Sequence, residues 1–170
     1  MSNVRPLEEL VPARAFPFKP KSTASLRSGD FWAVPIAGGR FGCGRVISLK
    51  RSGETGCRVM LIAGLLDWIG DAPPSSEEIA GRKSVAQGQI HLRSIWETGG
   101  EILGHRPLED DRIAPDYFLS ESPGRGCFLM SGYEFLRRAT EEEQRSLQIF
   151  STWGYLIIRH KAEALAKRAA

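Results

Sequence analysis

None of the 170 residues falls in an unbroken apolar run near the roughly 18 residues that a membrane-crossing helix requires, so no span is expected. The first 18 residues lack the basic start and apolar stretch of a secretory signal. They carry Pro6, Pro12 and Pro17 with Glu8 and Glu9, which points to a cytoplasmic protein. Cysteine is scarce. Cys43, Cys57 and Cys127 are odd in number and show no CxxC spacing, which excludes a complete disulfide framework and a zinc pattern. Cys43 and Cys57 fall in expected strands and read as small buried hydrophobes; a disulfide between them would need an oxidising compartment. The three histidines, His91, His105 and His160, form no i, i+4 pair and no HExxH motif. An enzyme would have to gather Cys127, His91 or His105 and an acid into one pocket. No catalytic residue, cofactor or metal site is therefore expected.

Two further motifs fall short of chemistry. The run Gly-Gly-Arg-Phe-Gly-Cys-Gly at 38–44 precedes no helix and lacks the lysine of a phosphate-binding loop, so it reads as a hairpin. Glu109, Asp110 and Asp111 lack the glycine spacing of a calcium loop and read as a solvated acidic segment.

What is present is an average globular composition, 42% apolar and 25% charged, in a chain long enough to bury a core. The 18 glycines and 10 prolines favour short strands and many turns. A net charge of +3 is too small to imply nucleic acid, but the charge is segmented. Residues 40–58 carry Arg40, Arg45, Lys50, Arg51 and Arg58 against Glu54 alone. Residues 67–78 carry Asp67, Asp71, Glu77 and Glu78 with no base. Residues 97–121 carry seven acids, among them Glu109, Asp110, Asp111 and Asp116, against Arg106 and Arg112. Such segregation can steer a charged partner.

Along the chain, residues 1–28 show no apolar periodicity and read as an extended arm docking through Phe16 and Phe18. Residues 29–170 read as one β-rich domain. In 30–36, Trp32, Val34 and Ile36 alternate with Phe31 and Ala33, a strand covered on both faces; Pro35 marks an edge or bulge. Gly38 and Gly39 supply a tight turn into a second strand over 40–49. Gly42 and Gly44 share a face of that strand, where something must pass close or the strand must bend. A third strand is expected over 57–63, then a connection over 70–87 with little core, including a Ser-capped turn closed by Gly81. Alternation predicts a strand over 89–96, a hairpin turn at 98–100 and a strand over 101–105. Two short strands, 116–120 and 126–130, flank the Ser-Pro-Gly turn at 122–124. Thr140 and Glu143 form a capping box, with Leu147 and Phe150 facing inward. From Thr152, the residues Tyr155, Ile158, Ala162, Leu165 and Ala169 make one stripe of an amphipathic helix. The fold class is α+β: mostly antiparallel, a small bent sheet or half-open barrel with a C-terminal amphipathic helix.

The run Gly-Asp-Phe-Trp-Ala-Val-Pro-Ile at 29–36, followed by Gly-Arg-Phe-Gly-Cys-Gly-Arg-Val at 39–46, resembles the opening signature of bacterial polymorphic-toxin immunity proteins, specifically immunity protein family twenty-six. The resemblance implies a mostly β protein that protects its producer by binding a cognate toxin, encoded adjacently. It carries over no binding residues. The sequence places a partner surface on the acidic segments, at Asp67, Trp68, Asp71, Glu109, Asp110, Asp111, Asp116 and Tyr117, with Trp68 and Tyr117 as aromatic anchors. The alternative is a small barrel that binds single-stranded nucleic acid through Trp32, Phe41 and arginines 40, 45 and 58. The acidic segments and the core phase of both aromatics argue against it.

Overall fold

Alternation along 30–36 has the outcome it predicts. Strand β1 (Asp30–Ile36) places Trp32, Val34 and Ile36 in one core and Phe31 in another on the opposite face. The computed structural model describes residues 13–122 and 126–170. Residues 123–125, which take in most of the expected Ser-Pro-Gly turn at 122–124, and the first 12 residues of the expected arm lie outside the described residues. Gly38 and Gly39, at φ 80° and 71°, turn the chain into β2 (Arg40–Leu49). Then come β3 (Met60–Gly70), β4 (Ser84–His91), a short helix α1 (Arg93–Glu97) and β5 (Ile102–His105). A second group follows: β6 (Tyr117–Ser122), β7 (Gly126–Ser131), β8 (Glu134–Arg138), α2 (Glu141–Ser146), β9 (Thr152–Trp153) and α3 (Ile157–Arg168).

One sheet has the order β5-β1-β2-β3-β4-β9, antiparallel except for β9 beside β4; the other is the antiparallel β6-β7-β8. This is the α+β architecture expected, with a bent sheet and no closed barrel. Pro35 pairs with Phe41 of β2, while β5 reaches only Asp30, Phe31 and Trp32, so the proline sits where the ladder is one-sided. The arm contributes a bridge: Phe18 and Ile102 exchange backbone hydrogen bonds at 3.0 and 2.9 Å, which lays the arm along β5.

The two glycines of β2 are explained by what crosses them. A Cβ at Gly42 would stand 2.9 Å from the Ala162 methyl of α3, so the helix approaches the sheet there. A Cβ at Gly44 would overlap the ring of Trp32, its cross-strand partner. The β2–β3 register also slips between Gly42 and Gly44, which bends the sheet under the helix. Ile158, Ala162 and Ala166 of α3 close the main core over Trp32, Val34, Val46, Leu61, Leu65 and Ile90. Burying Ile158 alone stabilises the fold by about 1.5–3 kcal/mol. The second core, Phe31, Cys43, Leu66, Trp68 and Ile79, lies on the opposite face of the sheet. Burial there pushes the Cys43 thiol far up, so it stays a neutral hydrophobe.

Several expectations are corrected. The third strand spans 60–70 rather than 57–63, because Leu65 faces the main core while Leu66 and Trp68 fill the second. Cys57 consequently lies in a turn. The 70–87 connection is not empty of core, since Ile79 is fully buried and β4 already begins at Ser84. Its Ser75 cap does form: the Ser75 hydroxyl accepts from the Glu78 amide, and the Glu78 carboxylate accepts from the Ser75 amide. Residues 89–96 are not one strand. The ladder stops at His91 and a helical turn buries Ile95 beside Leu92. The glycines at 99 and 100 end that helix by donating to Trp96 and Ile95 carbonyls, so they form no hairpin, and β5 pairs with β1 instead of β4. The final helix starts at Ile157, not Thr152; Tyr155 and Ala169 are exposed, and Ala166 takes the expected place of Ala169. The capping box of Thr140 and Glu143 is present on α2, and the Arg137 guanidinium beside Glu143 holds its carboxyl down to about 2. Leu147 and Phe150 are half-buried.

Candidate partner-binding surface

Two charged residues of the opening hairpin, Asp30 and Arg45, are buried, while Arg40 at the turn is part-exposed. Arg45 points from β2 into the interior, its side chain fully withdrawn from solvent, and donates to Asp111 at 2.7 Å. It also donates to the Arg106 and Pro107 carbonyls. Asp111 accepts from the Gly81 amide at 2.7 Å and from Arg106 Nε at 2.9 Å. Burial would raise the Asp111 carboxyl, but the Gly81 amide, Arg45 and Arg106 together hold it below the usual carboxylate range. Removing two charges from water costs several kcal/mol each, which these partners offset, although the buried Arg45 Nε is left without one. Asp111 thereby ties β2, the 106–113 loop and the turn ending at Gly81 into one unit.

Asp30 plays the same part on the neighbouring strand, next to Phe31, the cross-strand partner of Arg45. Fully buried, it accepts two 2.7 Å hydrogen bonds from the Arg14 guanidinium, one from the Arg27 amide, and lies 3.0 Å from His105 Nδ1. Sequence reasoning missed this group. The available signal was a carboxylate set among strand hydrophobes, a place it occupies only with partners.

The eight acidic-segment residues divide by position. Trp68 belongs to the second core and Asp111 to the buried ion pair, so these two support the surface from beneath. Asp67, Asp71, Glu109, Asp110, Asp116 and Tyr117 are exposed. Asp110 and Asp116 border a cleft of about 550 Å³ whose other walls include Lys83, Gln87 and Arg112. Gln87 fastens the cleft: its amide donates to the Ala114 carbonyl and accepts from the Asp116 amide at 2.8 Å. Desolvation raises the Asp116 carboxyl. Asp67 joins this region through its amide, which donates to the Lys83 carbonyl, and Tyr117, 57% exposed, follows directly on β6. Glu109 shares the helical turn of Asp110 and Asp111, while Asp71 lies past the end of β3, outside the cleft lining.

The catalytic grouping is not assembled. Cys127 lies on β7 opposite Glu121, His91 accepts from the Arg93 amide at the end of β4, and His105 contacts Asp30 on β5. Among the described residues no three metal-ligating side chains cluster. The nucleic-acid alternative loses two of its groups to the interior, since both Trp32 and Arg45 are fully buried. Among the described residues no helix is long and apolar enough to cross a membrane.

A family profile described as Immunity protein 26 matches residues 27–125. The chain belongs to that family. No curated protein and no solved structure matches it. The Immunity protein 26 match takes in both halves of the opening signature, each buried carboxylate and the acidic loop. Two of the signature's three charged side chains, Asp30 and Arg45, are thus internal fastenings of this Immunity protein 26 chain, while Arg40 is part-exposed.

Proposed function

We propose that this protein confers immunity by binding a cognate toxin directly, in the cytoplasm of a cell whose toxin gene lies beside its own. Family membership is the observation that carries this reading. The surface proposed for the toxin is the exposed acidic set, Asp67, Asp71, Glu109, Asp110 and Asp116, with Tyr117 as anchor, facing a basic patch on the partner. Two features support it. The acids come from segments that carry few bases, and the Arg45–Asp111 pair holds the loop that displays Glu109 and Asp110. Exposed like charges on a rigid loop accelerate encounter with an oppositely charged partner. The test is co-expression of this chain with the toxin encoded next to it, followed by survival counts and co-purification. Survival with a stable complex supports direct binding. Survival without any complex overturns it in favour of an indirect mechanism.

A further inference from the structure

A second charged surface, opposite in sign, lies at the end of β4. Lys19 from the arm places its ammonium 4.8 Å from the centre of the Trp96 ring, and the Arg93 guanidinium lies 5.4 Å from the same ring. Arg93 also sits 5.7 Å from the ring of Tyr155, against which His91 packs edge-on. Between these groups runs a groove of about 430 Å³, walled by Val59, Leu92 and Trp96 and rimmed by Lys19, Lys21 and Arg93. No acid lines it. The apolar surface continues outward through Tyr155, Leu156 and Ile157, which are 39%, 50% and 36% exposed. Apolar surface ringed by one sign of charge marks a contact site, and Trp, Tyr and Arg are the side chains that dominate such contacts.

We infer that this groove docks an acidic protein segment bearing an apolar or aromatic anchor residue. The anchor enters between Val59, Leu92 and Trp96, and flanking carboxylates meet Lys19, Lys21 and Arg93. Glu97 pairs with Arg93 at 2.5 Å across one helical turn on an exposed surface, a weak link that a partner carboxylate replaces. A nucleobase fits less well, because two cations already stand against the Trp96 ring and one must leave before a base stacks there. The site is independent of the acidic surface assigned to the toxin.

The test is selection from a phage-displayed random dodecapeptide library on the full-length protein. The expected winners carry two or more Asp or Glu around a Trp, Phe or Leu. A synthetic copy binds saturably, shifts the Trp96 indole signal in a ¹⁵N spectrum, and binds the Lys19→Gln/Arg93→Gln variant at least about tenfold more weakly, the scale of a hot-spot loss. Circular dichroism of that variant confirms that it folds. No enrichment, winners without acids, equal binding by the variant, or displacement of the peptide by a single-stranded oligonucleotide at the Trp96 signal each overturns the inference.

Discussion

Arg45 and Asp111 stand 66 residues apart in sequence and 2.7 Å apart in space, both side chains sealed from solvent. Removing one partner leaves the other as an unpaired buried charge. Asp111→Ala is therefore expected to lower the stability to urea by about 3–5 kcal/mol. Replacing both, as Arg45→Met with Asp111→Leu, is expected to cost less than the single change. A single-variant loss below about 1 kcal/mol would show that the pair holds nothing together.

Two aspartates on this loop titrate in opposite senses. Asp111 is depressed in the folded state, so its stabilising contribution is complete above the unfolded value of about 3.9 and fades as pH falls toward its folded value. Asp116 is raised, so its contribution holds below the unfolded value and is lost as pH climbs through the folded one. Urea midpoints between pH 2 and pH 7 should show a flatter acid limb in Asp111→Asn. Asp116→Asn should gain slightly at neutral pH.

Trp32 needs the missing side chain at Gly44. Gly44→Ala forces the indole out of place in a fully buried site and is expected to cost about 1–3 kcal/mol. Combining it with Trp32→Leu should give a total loss smaller than the sum of the two. Strict additivity would mean that the ring and the glycine do not constrain each other.

Helix α3 offers a matched pair of tests. Ala162→Leu overfills the contact with Gly42 and is expected to destabilise by about 1–3 kcal/mol, whereas Ala164→Leu, on the exposed side of the same helix, should leave the thermal midpoint nearly unchanged. Equal effects would mean that the helix does not pack as described.

On the surface proposed for the toxin, Asp110→Lys with Asp116→Lys should slow association and reverse its salt dependence. Tyr117→Ala should mainly speed dissociation. Both are read by surface plasmon resonance with the neighbouring toxin. Unchanged kinetics for both would move the interface elsewhere.

The parts of the fold that were legible are those whose physics is local. The first hairpin follows from a period of two and a pair of glycines, and the α2 cap from Thr140 and Glu143 three residues apart. Residues 89–96 were misread because Ile90, Leu92 and Trp96 lie two and four apart, a spacing that suits a strand and a helical turn equally. Pairing of β5 with β1 rests on distant contacts that no short window contains. The candidate surface divides in the same way. Its sign of charge is written in the composition of 67–78 and 97–121, but exposure is not. Nothing near Asp111 announces an arginine on β2, and nothing near Trp68 shows the core that Ile79 completes.

With Asp30 and Arg45 both buried, the charges that fasten the opening hairpin are separated from the surface proposed for the toxin. Arms-race change can then rewrite the exposed loops while folding alone preserves the signature. On the proposed reading, exchanging the 107–116 loop between family members exchanges the toxin each one binds while the buried pairs stay intact.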